Sequence, residues 1–408
     1  MSRTPNQLAE RPHVEGLPKP VRYKRKDLTS EQRTRMLVEC GGRCALCNAY
    51  LLEGGLTSTP VPFGELAHMI GLQPNKNSPR GLDDPMGEDE RNDPSNLMFV
   101  CESNHAEIDK SGSRDMFPID WLRQRKADHI ARITFLTGLD PQHPTVPLRL
   151  LAKVRDDSVE VDQTGVANAV MHSAMRYPKF RLADRNEIEI DLRGIAGEKQ
   201  ATPEYYAAVR ARIDEVFDHT LAAGWTNGDI THMSVFAFAR IPVLVYLGTK
   251  LGDHVPVDVY QRDRLTQNWI WPSRAGELPF TVDVPPTTDE PTEAVLIINA
   301  SGTIDPSELP DEVAGLTVLT VAASTAHPNV VDSPSKLADF TRALHELVGK
   351  IERDGYKTVN RLHVFAAAGL ACSVTLGRVF DDDTHPTLAI YDRQDGTGYR
   401  LGMEVGHR

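Results

Sequence analysis

The sequence predicts two kinds of structure in one chain: a small α+β part in front and a larger α/β part, built of two parallel-sheet halves, behind it. Three observations predict this. Four of the five cysteines, Cys40, Cys44, Cys47 and Cys101, fall in the first quarter of the 408 residues. Residues 138–148 (GLDPQHPTVPL) carry three prolines and separate two textures. Beyond them, short β-rich runs alternate with longer helical patterns, the order that gives parallel strands joined by crossover helices.

Composition narrows the class. With 40% hydrophobic and 25% charged residues, each part can close a core. No apolar run of about 18 residues occurs, and the opening MSRTPNQLAERPHVEGLPKP lacks an apolar signal-peptide core. A cytoplasmic protein with no membrane contact is expected. An odd, clustered set of cysteines, with Cys372 far away, points to metal rather than disulfides. The net charge of −12 argues against a nucleic-acid-coated protein. Two local basic runs remain as phosphate-contact candidates: Lys19, Arg22, Lys24, Arg25, Lys26, Arg33, Arg35 and Arg43, then Arg114, Arg123, Arg125 and Lys126.

Taken in order, residues 1–28 read as a flexible polar leader. Thr29 or Ser30 caps a helix through Glu39, which Gly41-Gly42 end. Cys44-Ala-Leu-Cys47 follows in a tight turn. Residues 72–95 are rich in Pro, Gly, Asn and Asp and read as a long loop. Helices are expected after Cys101 and over 119–136, closing a domain at 137; residues 138–148 read as a linker.

From 149 the order is EIEIDL, a helix near 203–223, SVFAFA, a helix after Pro242 and VDVYQ. It returns as AVLIINA, LTVLTVAAS, a helix through KLADFTRALHELVGKI, HVFAAA, a helix and TLAIYD. Phe236 and Phe365 precede Gly248 and Gly377 by the same interval, each glycine follows a leucine, and Pro256 with Tyr260 matches Pro386 with Tyr391. The expectation is an internal repeat with halves of about 149–285 and 286–408.

In the first part the order is Cys44-x-x-Cys47, His68 in GELAHMIG, Asn96-Leu97, then Cys101, His105 and Asp109 in MFVCESNHAEID. This order resembles the HNH (ββα-metal) nucleases over about residues 30–132. Phosphodiester hydrolysis needs an activated water, neutralised charge at phosphorus and a stabilised leaving oxygen. The resemblance implies that His68 is the general base, Asn96 holds its loop, and His105 binds one hard divalent ion, Mg²⁺ by expectation. Asp109, four residues on and on the same helix face, is a second candidate ligand; Glu65 could add a carboxylate. Cys44, Cys47 and Cys101 would grip a structural Zn²⁺. Position 104, where the pattern expects the fourth ligand, is Asn: either Cys40 substitutes, or the site has three cysteines with a weak ligand or is partly degenerate.

In the second part, MSVFAFARIPVLVYLG, PVDVYQRDR, Trp269-Ile-Trp271 and VTLGRVF…AIYDR resemble a SAVED domain, two CARF-like, Rossmann-like halves that sense cyclic oligonucleotides. An anionic ring would sit beyond the strand ends and beside helix N-termini. The candidates there are Arg240, Tyr260, Gln261, Arg262 and Tyr391, with Trp269 and Trp271 for base stacking and Lys250 and Arg378 as a matched basic pair. Together the resemblances imply an effector nuclease of bacterial CBASS antiphage defence. A partner nucleotidyltransferase would make a cyclic di- or trinucleotide, the resting dimer would assemble further on binding it, and double-stranded DNA would be degraded without sequence preference. The rival expectation is a zinc-containing DNA-binding regulator that senses a ligand and cuts nothing.

Overall fold

A computed structural model of the chain describes residues 21–53, 64–82, 84–110, 115–155, 157–180, 188–271, 276–380, 384–394, 396 and 398–406. They fall into two compact units, Met1–Gly138 and Leu139–Arg408. No helix among the described residues is long and apolar enough to cross a membrane.

The first unit opens with α1 (Ser30–Glu39), closed by a capping box in which Thr29 and Gln32 satisfy each other's backbone N–H. Gly41 and Gly42 follow at φ +61° and +65°, left-handed values that let the chain turn off the helix. Next come β1 (Gly64–His68), the short α2 (Glu88–Arg91), β2 (Leu97–Cys101), α3 (Glu102–Asp109) and α4 (Ile119–Gly138). β1 and β2 pair antiparallel with His68 opposite Leu97. The core beneath them is small, centred on Met36, Leu51, Met98, Phe99, Ile108 and Leu122.

Two expectations change here. The described end of the leader is tied down. Tyr23 N–H donates to Gln73 Oε1 (3.1 Å) and the Gln73 amide returns a bond to Tyr23 O (2.8 Å), while Asn92 exchanges two bonds of 3.0 Å with the Lys24 and Lys26 backbone. The described residues of the 72–95 stretch are mostly loop, broken by α2. They wind around the fully buried Arg91, whose guanidinium donates to the carbonyls of Gly71, Gly81, Asp84 and Met86 at 2.6–2.9 Å.

The second unit begins with β3 (Asp140–Leu151), so the proline-bearing 138–148 is largely strand and not linker. Its prolines sit where no ladder bond is needed. A bulge separates Asp140 from Pro144, and Pro147 lies between the pairing with β6, which ends at Thr145, and the pairing with β7, which starts at Leu148. A small hairpin, β4 (Lys153–Val154) and β5 (Asp157–Ser158), leads to α5 (Gln163–Ala174), β6 (Arg176–Pro178) and β7 (Ile188–Asp191). Then follow α6 (Pro203–Val216), α7 (Ala222–Thr226), β8 (Met233–Phe238), α8 (Ile241–Leu251) and β9 (Val257–Val259). The remaining elements are β10 (Phe280–Asp283), β11 (Glu293–Asn299), β12 (Val318–Ala323), α9 (Pro334–Arg353), β13 (Arg361–Ala367), α10 (Leu370–Val379), β14 (Thr387–Gln394) and β15 (Gly398–Val405).

The four central strands run parallel in the same order in both halves: β7-β3-β8-β9 and β12-β11-β13-β14. β10 pairs antiparallel with β12, which moves the boundary between the halves ahead of residue 280. The matched glycines meet. α8 and α10 cross where a Cβ on Gly248 would collide with the Val374 carbonyl and one on Gly377 with the Val245 carbonyl. The matched aromatics also repeat, Phe236 stacking on Tyr260 at 4.3 Å and Phe365 on Tyr391 at 4.4 Å. One apolar core runs through both halves.

Candidate functional site

In the first unit, β1 delivers His68 and α3, starting directly after β2, delivers His105 and Asp109. Asn96, 3% exposed, locks the chain just past His68. Its Oδ1 accepts from Ile70 N, its Nδ2 donates to the carbonyls of Ile70 and Arg91, and its backbone carbonyl accepts from Met69 N, all at 2.9 Å. A buried amide with both ends used fixes the backbone it grips.

His68 Nε2 is buried and has no hydrogen-bond partner among the described residues. Such an atom is costly to keep and is usually met by something else, a water, an ion or a substrate. Burial first, then the neighbouring Arg25 and His105 side chains, hold the His68 pKa down to about 4, so the ring is neutral at pH 7.

His105 is held from both sides. Nδ1 lies 2.6 Å from Glu65 Oε2 and Nε2 lies 3.3 Å from Asp109 Oδ2. In the tautomer that donates Nδ1–H to Glu65, Nε2 keeps its lone pair on the Asp109 side. Glu65 therefore stands behind the ring as an orienting carboxylate and not beside Asp109 as a ligand. Donors 3.3 Å apart suit neighbouring ligands on a small cation, whose bonds of about 2.1 Å put adjacent donors about 3 Å apart. Burial pushes the Asp109 carboxyl up, against the pull of His105 and Arg80.

The sulfurs of Cys44, Cys47 and Cys101 lie within 4.8 Å of one another, with Cys47 and Cys101 3.8 Å apart. That spacing is what tetrahedral Zn–S bonds of about 2.3 Å require. Burial, the largest influence, raises the Cys44 thiol, but the amides of Cys47, Cys101 and Leu46 and the Asn104 side chain together bring it below its ordinary value. Cys40 does not join the group: as the C-cap of α1 it points back along the helix and gives its thiol to Leu37 O (3.3 Å). Asn104 occupies that quarter, its Nδ2 3.2 Å from Cys44 Sγ.

Of the basic runs, Lys19 and Arg114 lie outside the described residues. Lys26 pairs with Glu88 and Asp89, Lys126 donates to Pro94 O at 2.7 Å, and Arg125 lies over the Trp121 ring. Arg25 is exposed and reaches Leu66 O beside His68.

In the second unit most nominated ligand contacts hold the protein together. Arg240, 4% exposed, joins Glu198 (2.7 Å) to Asp392 (2.6 Å), and Tyr206 adds a 2.9 Å bond to Asp392. Gln261 accepts from Ala371 N at 3.0 Å, at the start of α10. Tyr391 lies between His363 (3.1 Å) and Glu312 (2.9 Å), Lys250 pairs with Asp214 (3.2 Å), and Trp269 packs edge-on against Phe236. Arg240 and Gln261 are satisfied across the repeat, by groups of the other half, whereas Tyr391, Lys250 and Trp269 are held within their own half. Arg262 differs, since its Nε is buried without a hydrogen-bond partner among the described residues.

The SAVED family, described as the SMODS-associated and fused to various effectors sensor domain, matches residues 213–405. The second unit carries a SAVED domain. No curated protein matches the chain. Solved structures similar to it include the Acinetobacter baumannii Cap4 SAVED/CARF-domain containing receptor with the cyclic trinucleotide 3'3'3'-cAAA, at 16% identity and TM-score 0.44 over 72% of this chain and 60% of that one. The same receptor with 2'3'3'-cAAA gives 16% and 0.45 over 78% and 65%, and the Moraxella osloensis receptor 14% and 0.39 over 72% and 59%. The chain thus spans less than two thirds of these receptors' length.

Two cavities open in the SAVED-bearing unit. One of about 620 Å³ is lined by Arg176, Asp258, Tyr260, Trp271, His345 and Arg378, and so gathers three sequence-nominated residues. Tyr260 Oη is buried there without a hydrogen-bond partner among the described residues. A larger one, about 1010 Å³, lies at the N-terminal ends of β11, β13 and β14 and holds none of the nominated residues. Arg176, His345 and the Arg80–Asp109 contact escaped the sequence reading. The only signal for Arg80 and Arg91 was an arginine inside a stretch otherwise rich in Gly, Pro and Asp.

Proposed function

We propose that this protein is an HNH endonuclease whose cutting of double-stranded DNA is gated by a cyclic oligonucleotide bound to its SAVED domain, in antiphage defence of the CBASS type. The observation that carries the nuclease reading is a buried, neutral, unpartnered His68 Nε2 on a backbone clamped by Asn96, beside a His105–Asp109 donor pair. The sensor reading rests on the family match at 213–405. The two Acinetobacter baumannii Cap4 receptor structures named above hold cyclic trinucleotides, and that ligand class is the one proposed for the 620 Å³ cavity, where Arg176 and Arg378 would face phosphate and Trp271 a base.

His68 accepts the proton of the attacking water, and Asn96 keeps it from swinging away. Glu65 holds the His105 ring so that Nε2 faces Asp109. His105 and Asp109 would hold Mg²⁺, which when bound supplies neutralisation of the phosphate and of the departing oxygen. Cys44, Cys47 and Cys101 would hold Zn²⁺ and brace a unit with little core. Ligand binding favours an assembled state over the resting one.

The test is plasmid degradation in Mg²⁺ across cyclic di- and trinucleotides, with His68→Ala alongside and light scattering on both. One ligand should raise the mass and switch on cleavage. His68→Ala should lose about 10²–10⁴-fold in rate while melting as the wild type does. Cleavage by the wild type without any ligand would sink the gating. DNA binding without cleavage under every ligand would leave the regulator.

A further inference from the structure

We propose that Arg80 is a positioning residue of the metal site, a single guanidinium that sets Asp109 in register with His68. The inference rests on the nuclease reading above. Arg80 lies in Ser78-Pro79-Arg80-Gly81, within the stretch that reads as loop. Its side chain is 4% exposed, and its backbone takes a left-handed φ of +56°, a conformation a non-glycine residue holds only where the surroundings dictate it.

Each donor has a distinct target. Nε donates to the carbonyl of Met69, the residue after His68. Nη1 donates to Ile108 O at 3.0 Å, the residue before Asp109, and reaches Phe117 O at 3.5 Å. Nη2 lies 3.7 Å from Asp109 Oδ1. One rigid plane thus spans the end of the strand that carries the base and the end of the helix that carries the carboxylate. Holding Oδ1 also leaves Oδ2 as the oxygen that faces His105 Nε2.

Glu65 and Arg80 form a matched pair: the carboxylate orients the histidine donor and the guanidinium orients the carboxylate donor. Groups that orient metal ligands in this way change metal affinity or activity by about 10–100-fold when removed. A lysine keeps the charge but not the fork, so it cannot reach the two strand and helix carbonyls and Asp109 at once.

The experiment titrates Mn²⁺ into the full chain, reading free ion by electron paramagnetic resonance, for wild type, Arg80→Lys, Arg80→Gln and His105→Ala, with melting temperatures beside each. His105→Ala identifies the site. Both Arg80 variants should bind Mn²⁺ about 10–100-fold more weakly at temperatures where they are folded, with no rescue by lysine. Wild-type Mn²⁺ affinity in folded Arg80→Lys overturns the proposal, even if Arg80→Gln fails to fold. A wild type that binds no Mn²⁺ overturns it as well. Weakened Mn²⁺ binding in the variants, in a protein that cuts no DNA under any cyclic nucleotide, supports the Arg80 role and removes the nuclease reading alone.

Discussion

The first unit and the SAVED-bearing unit differ in how their nominated polar side chains are met, with Tyr260 Oη and Arg262 Nε as the unmet exceptions in the second. In the first, His68 Nε2 has no partner among the described residues and three thiols stand together at a metal's spacing. In the second, Arg240, Gln261, Tyr391 and Lys250 all end on groups of the same unit. Both sets were nominated by residue type and position. The difference teaches that an unmet, buried donor or acceptor marks chemistry, whereas a satisfied one marks assembly.

The contrast is sharpest at Arg240. Arg240→Ala takes the guanidinium from between the buried carboxylates of Glu198 and Asp392 and should cost about 3–5 kcal/mol, read as a drop in the melting of the second unit. Full stability in that variant, with loss of ligand binding only, would break the contrast.

Gly377→Ala should come next. It forces a methyl into the Val245 carbonyl at the α8–α10 crossing and should cost about 1–3 kcal/mol in denaturant unfolding. A neutral outcome would mean the crossing is slack and the repeat decorative.

The smallest effect is at His232. Burial, aided by Arg176 and Arg378 and opposed by Asp258, holds its imidazole below the ordinary value. The unfolded chain then takes up a proton as pH falls through about 6.5 while the folded one resists, so stability present above that pH is lost below it. Melting from pH 7.5 downward should fall less steeply in His232→Gln. An unchanged slope would show that His232 titrates normally.

Legibility followed the same divide. Periodicity and paired landmarks gave the helices, the strands and the repeat, because Gly248, Gly377, Phe236 and Phe365 must recur for two helices and two aromatic stacks to recur. The proline-rich 138–148 misled because the composition of a linker does not reveal where an N–H is dispensable, and Pro147 falls between two strand pairings. His105 and Asp109 were legible by helical spacing. Arg80 was not, because it reaches Met69, Ile108 and Asp109 by folding back across sequence. Cys40 misled by proximity in sequence, since its helix cap points the thiol elsewhere.

The two halves of the SAVED-bearing unit face each other as copies in a two-fold dimer would, each strand end touching the other's helix start. Being one chain, they are released from identity. At one end Arg240 at the start of α8 meets Asp392; at the corresponding place Gly369 and Ala371 at the start of α10 meet Gln261. One seam is ionic and the other neutral. A fused pair of this kind can recognise a molecule with no symmetry of its own and bind it in a single orientation, which a true homodimer cannot do.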